Sequence, residues 1–184
     1  DMVITAAKNF VDIILFPELS LSGYVPSLAE SLALPSDDVN IYTFQSMSDE
    51  YRIFIAVGYP VRFNDGIKIT MVIFQPEKET LFYSKQLLHP DEMSFFKQGK
   101  QQTTVRVEEE LVVPAICYES LQPDHALEAA NLAADLYVAS VAKSSTGVIQ
   151  AYEHYPTIAS QHKMFVLMAN AVGHADNFIC AGQS

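Results

Sequence analysis

Cysteine is scarce in this chain: Cys117 and Cys180 are the only two among 184 residues. That is too few for the disulfide framework of a small secreted domain, so a reducing, cytoplasmic setting is expected. Positive charge is also thin. There are 11 Lys and Arg against 22 Asp and Glu, a formal net charge of −11, with no basic cluster anywhere. Such a surface repels polyanions at low salt, and nucleic acid is not an expected partner. No apolar run approaches the roughly 20 residues of a bilayer span, because the longest are broken by Pro17, Pro60, Pro114 or a charge. No membrane partner is expected either. Residues Asp1 to Phe10 contain neither a basic leader nor a small-residue cleavage site, and position 1 is not Met; no signal peptide is read here, and an earlier start of the gene product is expected. Repeats, low-complexity tracts, linkers and a glycine-rich phosphate loop are missing as well.

What is present is globular. The composition is 49% hydrophobic and 18% charged, and a chain of this length buries roughly 70% of its unfolded surface in one domain, taken as residues 1–184. Apolar runs of strand length cover Val11–Phe16, Ile53–Val57, Leu111–Cys117, Leu136–Val141 and Phe165–Ala169, each rich in β-branched or aromatic residues and closed by Gly, Pro or polar residues. Two more flank the polar connection Gln75–Glu79 and predict a local antiparallel pair. Helices are expected from Ser36, as N-cap with Asp37 and Asp38 in the first turn, to about Tyr51, with Phe44, Met47 and Tyr51 at helical spacing. A second should start at Pro123 and Asp124 with Leu127, Ala130 and Ala134 on one face. A third spans about Val148 to Lys163, with a kink or break at Pro156. Strands alternating with helices predict an α/β domain, and the hairpin makes its sheets mixed.

In open α/β sheets, reactive groups collect just past the carboxyl ends of strands. Glu18, Lys85 and Cys117 each follow such a run. Their types make a usable set: a thiol needs a base, a carboxylate in an apolar setting is suited to be one, and a cation favours both thiolate and oxyanion. Taken singly, each has an ordinary reading as core cysteine, solvated lysine or capping glutamate.

The residues around them resemble the carbon–nitrogen hydrolase (nitrilase) superfamily. Phe16-Pro17-Glu18-Leu19-Ser20-Leu21-Ser22-Gly23-Tyr24 is similar to its glutamate motif. Tyr83-Ser84-Lys85, followed by His89-Pro90-Asp91-Glu92 and Phe95-Phe96, is similar to its lysine motif, and Ile116-Cys117-Tyr118-Glu119 to its nucleophile motif. Met168-Ala169-Asn170-Ala171-Val172-Gly173 and Gly182-Gln183-Ser184 resemble later segments, so the likeness spans nearly the whole chain. It implies a four-layer α-β-β-α sandwich with mixed sheets, paired as a homodimer or higher homo-oligomer. It implies Cys117 as nucleophile, Glu18 as general base and acid, and Lys85 with the Tyr118 N–H as oxyanion donors. Glu92, ahead of Asp91, matches a second glutamate that positions substrate and triad. The implied activity is hydrolysis of a small amide or nitrile through a Cys thioester, with acyl transfer to an amine and an inactive α/β binding protein as alternatives. Covalent catalysis of this kind calls for no cofactor and no metal.

Tyr24, Phe95, Phe96 and Lys143, in or near the motif loops, are candidate pocket residues, with packing or surface as their ordinary reading. His89 and His125 lack metal-like spacing with Cys117 and read as structural or surface residues. Glu119 alternates away from Cys117 on a strand-like segment and reads as a loop-stabilising hydrogen-bond partner, and Cys180 as a buried small hydrophobe. Relative to the superfamily the chain reads as short of a first strand and a C-terminal segment, and the turn before the lysine strand has Pro76-Glu77-Lys78-Glu79 in place of the usual glycine.

Overall fold

Burial on both faces turns the longest β-branched runs into central strands, and the rest of the fold is arranged to cover them. The computed structural model describes residues 1–184, the side chain of Asn40 excepted. In chain order the elements are α1 (Met2–Lys8), β1 (Ile13–Leu15), a 3-10 turn (Pro26–Leu28), α2 (Ala29–Leu32), β2 (Leu34–Pro35), α3 (Val39–Tyr51), β3 (Phe54–Phe63), β4 (Gly66–Phe74) and β5 (Leu81–Ser84). They continue with a 3-10 turn (Pro90–Glu92), β6 (Val105–Val107), β7 (Glu110–Ile116), a 3-10 turn (Cys117–Leu121), α4 (Pro123–Asn131), β8 (Leu136–Val141), α5 (Ser145–His162), β9 (Phe165–Asn170), β10 (Val172–His174) and β11 (Ile179–Ala181).

Two sheets result. The first runs β1-β3-β4-β5, with β2 also on β3; β1 and β2 are parallel to β3, while β3, β4 and β5 are antiparallel. The second runs β6-β7-β8-β9, antiparallel at β6 and parallel from β7 to β9 through the crossovers α4 and α5. Three apolar clusters define the layers. Ile69, Met71 and Tyr83 from the first sheet meet Val112, Ile116 and Val138 from the second. On the outer side of the second sheet, Val113, Tyr137 and Val141 pack on Ala126 and Ala129 of α4 and Ala151, Tyr155 and Ile158 of α5. On the outer side of the first, Ile55, Val57 and Val72 pack on Val3 of α1 and Ile41, Phe44 and Met47 of α3. The order is therefore α-β-β-α, the four-layer sandwich with mixed sheets.

Several local expectations are corrected. The α3 helix starts at Val39, so Ser36 lies in a turn outside it, and the first bond runs from Ile41 N–H to the carbonyl of Asp38 at 3.0 Å. In α4 the buried face is His125, Ala126 and Ala129, whereas Leu127 is 47% exposed; the small alanines are the residues that meet the second sheet. Pro156 does not break α5, which runs unbroken from its N-cap Ser144, whose side chain accepts from the Gly147 N–H at 3.4 Å. The strands β6, β10 and β11 and the tight β3–β4 hairpin, where Phe63 pairs Gly66, went unread because each is short or lies within a polar stretch. No helix among the described residues is long and apolar enough to cross a membrane.

This packing makes a contrast within the outer helices. Ile158→Ala, at a site 3% exposed, is expected to cost about 3 kcal/mol through lost burial and a residual cavity. Leu127→Ala should stay within about 0.5 kcal/mol, as surface changes do. Urea unfolding of both variants checks the assignment of the buried face.

Candidate active site

Each of the three motif residues sits where a strand runs out. After β1, Phe16 N–H still bonds Ala56 across the sheet at 2.8 Å, and then Pro17 stops the ladder and Leu19 takes a left-handed φ of 49°. The resulting loop lies directly on β3. A Cβ on Gly58 would sit 2.6 Å from the Leu19 nitrogen and 3.0 Å from the Pro17 carbonyl, so only glycine permits this approach. Leu21 N–H bonds the Gly58 carbonyl at 3.0 Å, and the Ser20 hydroxyl accepts from Gly58 N–H at 3.1 Å. From the other sheet, the Ser140 hydroxyl donates to the Phe16 carbonyl at 2.8 Å. Glu18 is thereby fixed to both sheets.

Lys85 follows β5 and keeps its ladder bond, to Ile69 O at 2.9 Å. Its ammonium is fully buried and donates to Glu18 Oε1 at 2.8 Å and Glu92 Oε1 at 2.7 Å. Glu92, also fully buried, accepts in addition from the Tyr24 hydroxyl at 2.7 Å and, on Oε2, from His89 N–H at 2.8 Å. Glu18 Oε2 is buried without a complete hydrogen bond, although the Cys117 thiol lies close enough to lower the carboxyl pKa.

Cys117 opens the turn after β7 at a left-handed φ of 48°, a backbone state that costs a non-glycine residue of order 1 kcal/mol or more. The turn is a 3-10 helix rather than a strand, and Glu119 is the reason it holds. Its buried carboxylate accepts from Ile116 N–H (2.7 Å), the Tyr83 hydroxyl (2.6 Å), Gln86 N–H (2.7 Å) and Leu87 N–H (3.1 Å). It joins the cysteine turn to the segment just after the lysine. His125 lies behind it, 3% exposed and bonded to the Tyr83 and Tyr137 hydroxyls at 2.8 and 2.7 Å; burial lowers its pKa, so it stands as a neutral structural group.

The electrostatics follow from burial. Desolvation raises Glu18 to about 7, with Lys85 opposing and Glu92 reinforcing the shift. Cys117 is pushed up to about 12, first by burial and then by Glu18, against the pull of Lys143 and Lys85. Burial lowers Lys85, but Glu18, Cys117 and Glu92 outweigh it and the net shift is upward, so the ammonium stays charged.

Cys117, Glu92, Tyr24, Tyr118 and Lys143 line one hollow of about 400 Å³, together with Phe95, His89, Asp91 and the segment Asp176–Phe178. Phe96 does not line it. It is 3% exposed and packed in the cluster between the sheets, because Phe95 and Phe96 close the 3-10 turn on opposite sides and only one can face the hollow. Sequence reading missed Gly58, Ser140 and the Asp176–Phe178 wall. A glycine inside an apolar strand is a signal of close backbone approach, but nothing in the residue pattern announced the other two. Cys180 is buried in β11 and its pKa is raised by burial.

The carbon-nitrogen hydrolase family model matches residues 1–184. The chain belongs to that family. Among curated proteins none is significantly similar in sequence. Solved structures share the fold. The NitN amidase of Nesterenkonia sp. AN1 is 21% identical with a TM-score of 0.84, over 97% of this chain and 72% of its own. A CN-hydrolase superfamily protein of Xanthomonas campestris with an arsenic adduct in its active site is 17% identical with a TM-score of 0.89, over 98% of this chain and 70% of its own. A mutant of the Nesterenkonia amidase, carrying the acetamide moiety of fluoroacetamide on its active-site cysteine, is 22% identical with a TM-score of 0.84, over 98% and 70% of the two chains. This carbon–nitrogen hydrolase thus spans about seven-tenths of these neighbours.

Glu119→Ala removes the acceptor of four donors at once. The expected loss is about 3 kcal/mol or more, since each buried donor left unpaired costs about 1–3 kcal/mol. A fall in the urea midpoint at unchanged slope checks it.

Proposed function

We propose that this carbon–nitrogen hydrolase is a thiol-dependent amidase in which Cys117, Glu18 and Lys85 perform the reaction on a small amide and Glu92 positions them. The observation that carries the reading is the buried Lys85 ammonium bonded to two carboxylates, one of which, Glu92, lines the same hollow as Cys117, while Glu18 and Lys85 lie just behind that lining. Support for amides as substrates comes from the neighbouring amidase, one mutant of which was solved in complex with butyramide. The hollow's volume, about 400 Å³, suits a small molecule.

The pKa values set the order of events. With the thiol at about 12 and Glu18 at about 7, the thiol is protonated at neutral pH, about half of Glu18 is ionised and competent as a base, and free thiolate does not accumulate. Glu18 therefore takes the thiol proton as the S–C bond forms, which is general-base catalysis of attack. The carbonyl oxygen becomes an oxyanion beside the Lys85 ammonium and the Tyr118 N–H, which belongs to the first turn of its 3-10 helix and has no acceptor within it. Glu18 returns the proton to the nitrogen, the C–N bond breaks and ammonia leaves a thioester on Cys117. A water then gives its proton to Glu18 and attacks the thioester; the C–S bond breaks and the sulfur recovers the proton, releasing the carboxylic acid. Glu92 holds Lys85 through a second bond at 2.7 Å, so that the ammonium stays fixed while Glu18 changes charge.

Two results follow. Cys117→Ala should lower ammonia release from small aliphatic amides by at least about 10³-fold, and release that survives the substitution would overturn the mechanism. The pH profile should carry the sign of a base: Glu18 works only when unprotonated, so kcat/KM rises about tenfold per pH unit up to about 7 and is level above it. A profile that instead falls through pH 7 removes Glu18 from the role of base.

A further inference from the structure

Lys143 lies two residues past the end of β8 and lines the same hollow as Cys117, yet it is only 6% exposed. No protein hydrogen bond or ion pair reaches its ammonium among the described residues, although the chain carries 22 acidic residues. The acids that share the hollow are otherwise placed: Glu92 is bonded to Lys85, Asp91 is mostly exposed and 3.5 Å from His89, and Asp176 is exposed at the rim. The ammonium is therefore the one cation lining the hollow, and no anion of the protein is bonded to it among the described residues.

The residue is nevertheless held in place. Asn170 of β9, itself buried, accepts from Lys143 N–H at 2.7 Å and donates to the Lys143 carbonyl at 3.1 Å, and Ala181 N–H donates to that carbonyl at 2.9 Å. The carbon stem lies across Gly147 in the first turn of α5, where a Cβ would come within 3.2 Å of the Lys143 Cβ and 3.4 Å of its Cγ. Backbone and stem are thus clamped while the charge at the tip is left without an anion. That is the arrangement of a preorganised anion-binding group, whose cost is recovered when ligand arrives. Its field also reaches Cys117, lowering the thiol pKa, which places the cation within electrostatic range of the sulfur.

We propose that Lys143 is a specificity-determining residue that binds a carboxylate on the substrate, so that the preferred substrates are small amides bearing a second, anionic group. This rests on the amidase reading for its consequence in turnover, but the binding part stands without it. The shared chemistry is a carboxylate a few bonds from the amide carbon, placed on either the acyl or the leaving side.

The test compares succinamate with 4-methylpentanamide, in which an isopropyl group replaces the carboxylate. Wild-type protein should favour succinamate, and in Lys143→Met the ratio of the two kcat/KM values should fall about 10- to 100-fold, the range of a hydrogen bond to a charged group. A second pair, N-acetyl-β-alanine against N-butylacetamide, moves the carboxylate to the leaving amine and tells which side it occupies. Protection of Cys117 from iodoacetamide gives a readout independent of turnover. Succinamate should slow alkylation of the wild-type protein more than its neutral isostere does, and Lys143→Met should erase the difference. Differential protection with no hydrolysis of any amide would keep the role of Lys143 and overturn the amidase reading. Hydrolysis with equal protection and an unchanged ratio would overturn the role of Lys143 and keep the amidase.

Discussion

One ammonium between two carboxylates organises this site. Lys85 and Glu92 are fully buried and Glu18 is 2% exposed, a depth at which any one charge alone would be driven to neutrality. Held at 2.7 and 2.8 Å, the lysine lets both carboxylates enter the interior, and they in turn keep it charged. Yet three charges of this pattern do not cancel. Burial, opposed by Lys85 and reinforced by the excess of one carboxylate, is what lifts Glu18 to about 7, where it can both accept and return a proton at neutral pH. Basicity of the proposed base is thus a property of the cluster and not of Glu18 alone.

The cluster in turn requires the sandwich. Glu18 and Lys85 extend from strands of the first sheet, whereas Cys117 ends β7 of the second. Nothing in the chain order brings them together; the apolar layer between the sheets does, and polar bonds fix the last ångströms. Ser140 reaches from β8 to the carbonyl at Phe16, and Glu119 reaches from the cysteine turn to the residues after Lys85. These two connections cross from one sheet to the other on either side of the site. They keep the sheets from sliding where a small displacement would separate Cys117 from Glu18.

Much of this was legible in the chain. The strand cores at Leu136–Val141 and Leu111–Ile116, the β4–β5 pair and the placement of Glu18, Lys85 and Cys117 past strand ends follow from apolar runs closed by Pro or polar residues, signals that are local. The motifs supplied the fold class. What stayed hidden is non-local. Which face of α4 is buried depends on its packing against the Cys117–Leu121 turn and α5, so Leu127, apolar by type, ends outside. Phe95 and Phe96 are adjacent and chemically alike, and only the direction of the preceding 3-10 turn sends one to the hollow and the other to the core. Pro156 reads as a breaker, yet α5 tolerates it at an exposed position. The wall formed by Asp176–Phe178 comes from the β10–β11 ribbon, fixed through Asp176 N–H to the Tyr24 carbonyl at 2.9 Å and the Tyr24–Phe178 ring contact at 5.8 Å.

The strain at Cys117 completes the electrostatic account. A residue at the start of a turn with φ of 48° points its side chain out of the strand direction and leaves the next N–H free to face the same space. For an ordinary core cysteine that backbone state would be a cost without return. Here it is secured by four bonds to Glu119, none of which touches the sulfur. A carboxylate two residues away therefore sets where the proposed nucleophile points, while the burial that raises its thiol pKa keeps it protonated until a base takes the proton.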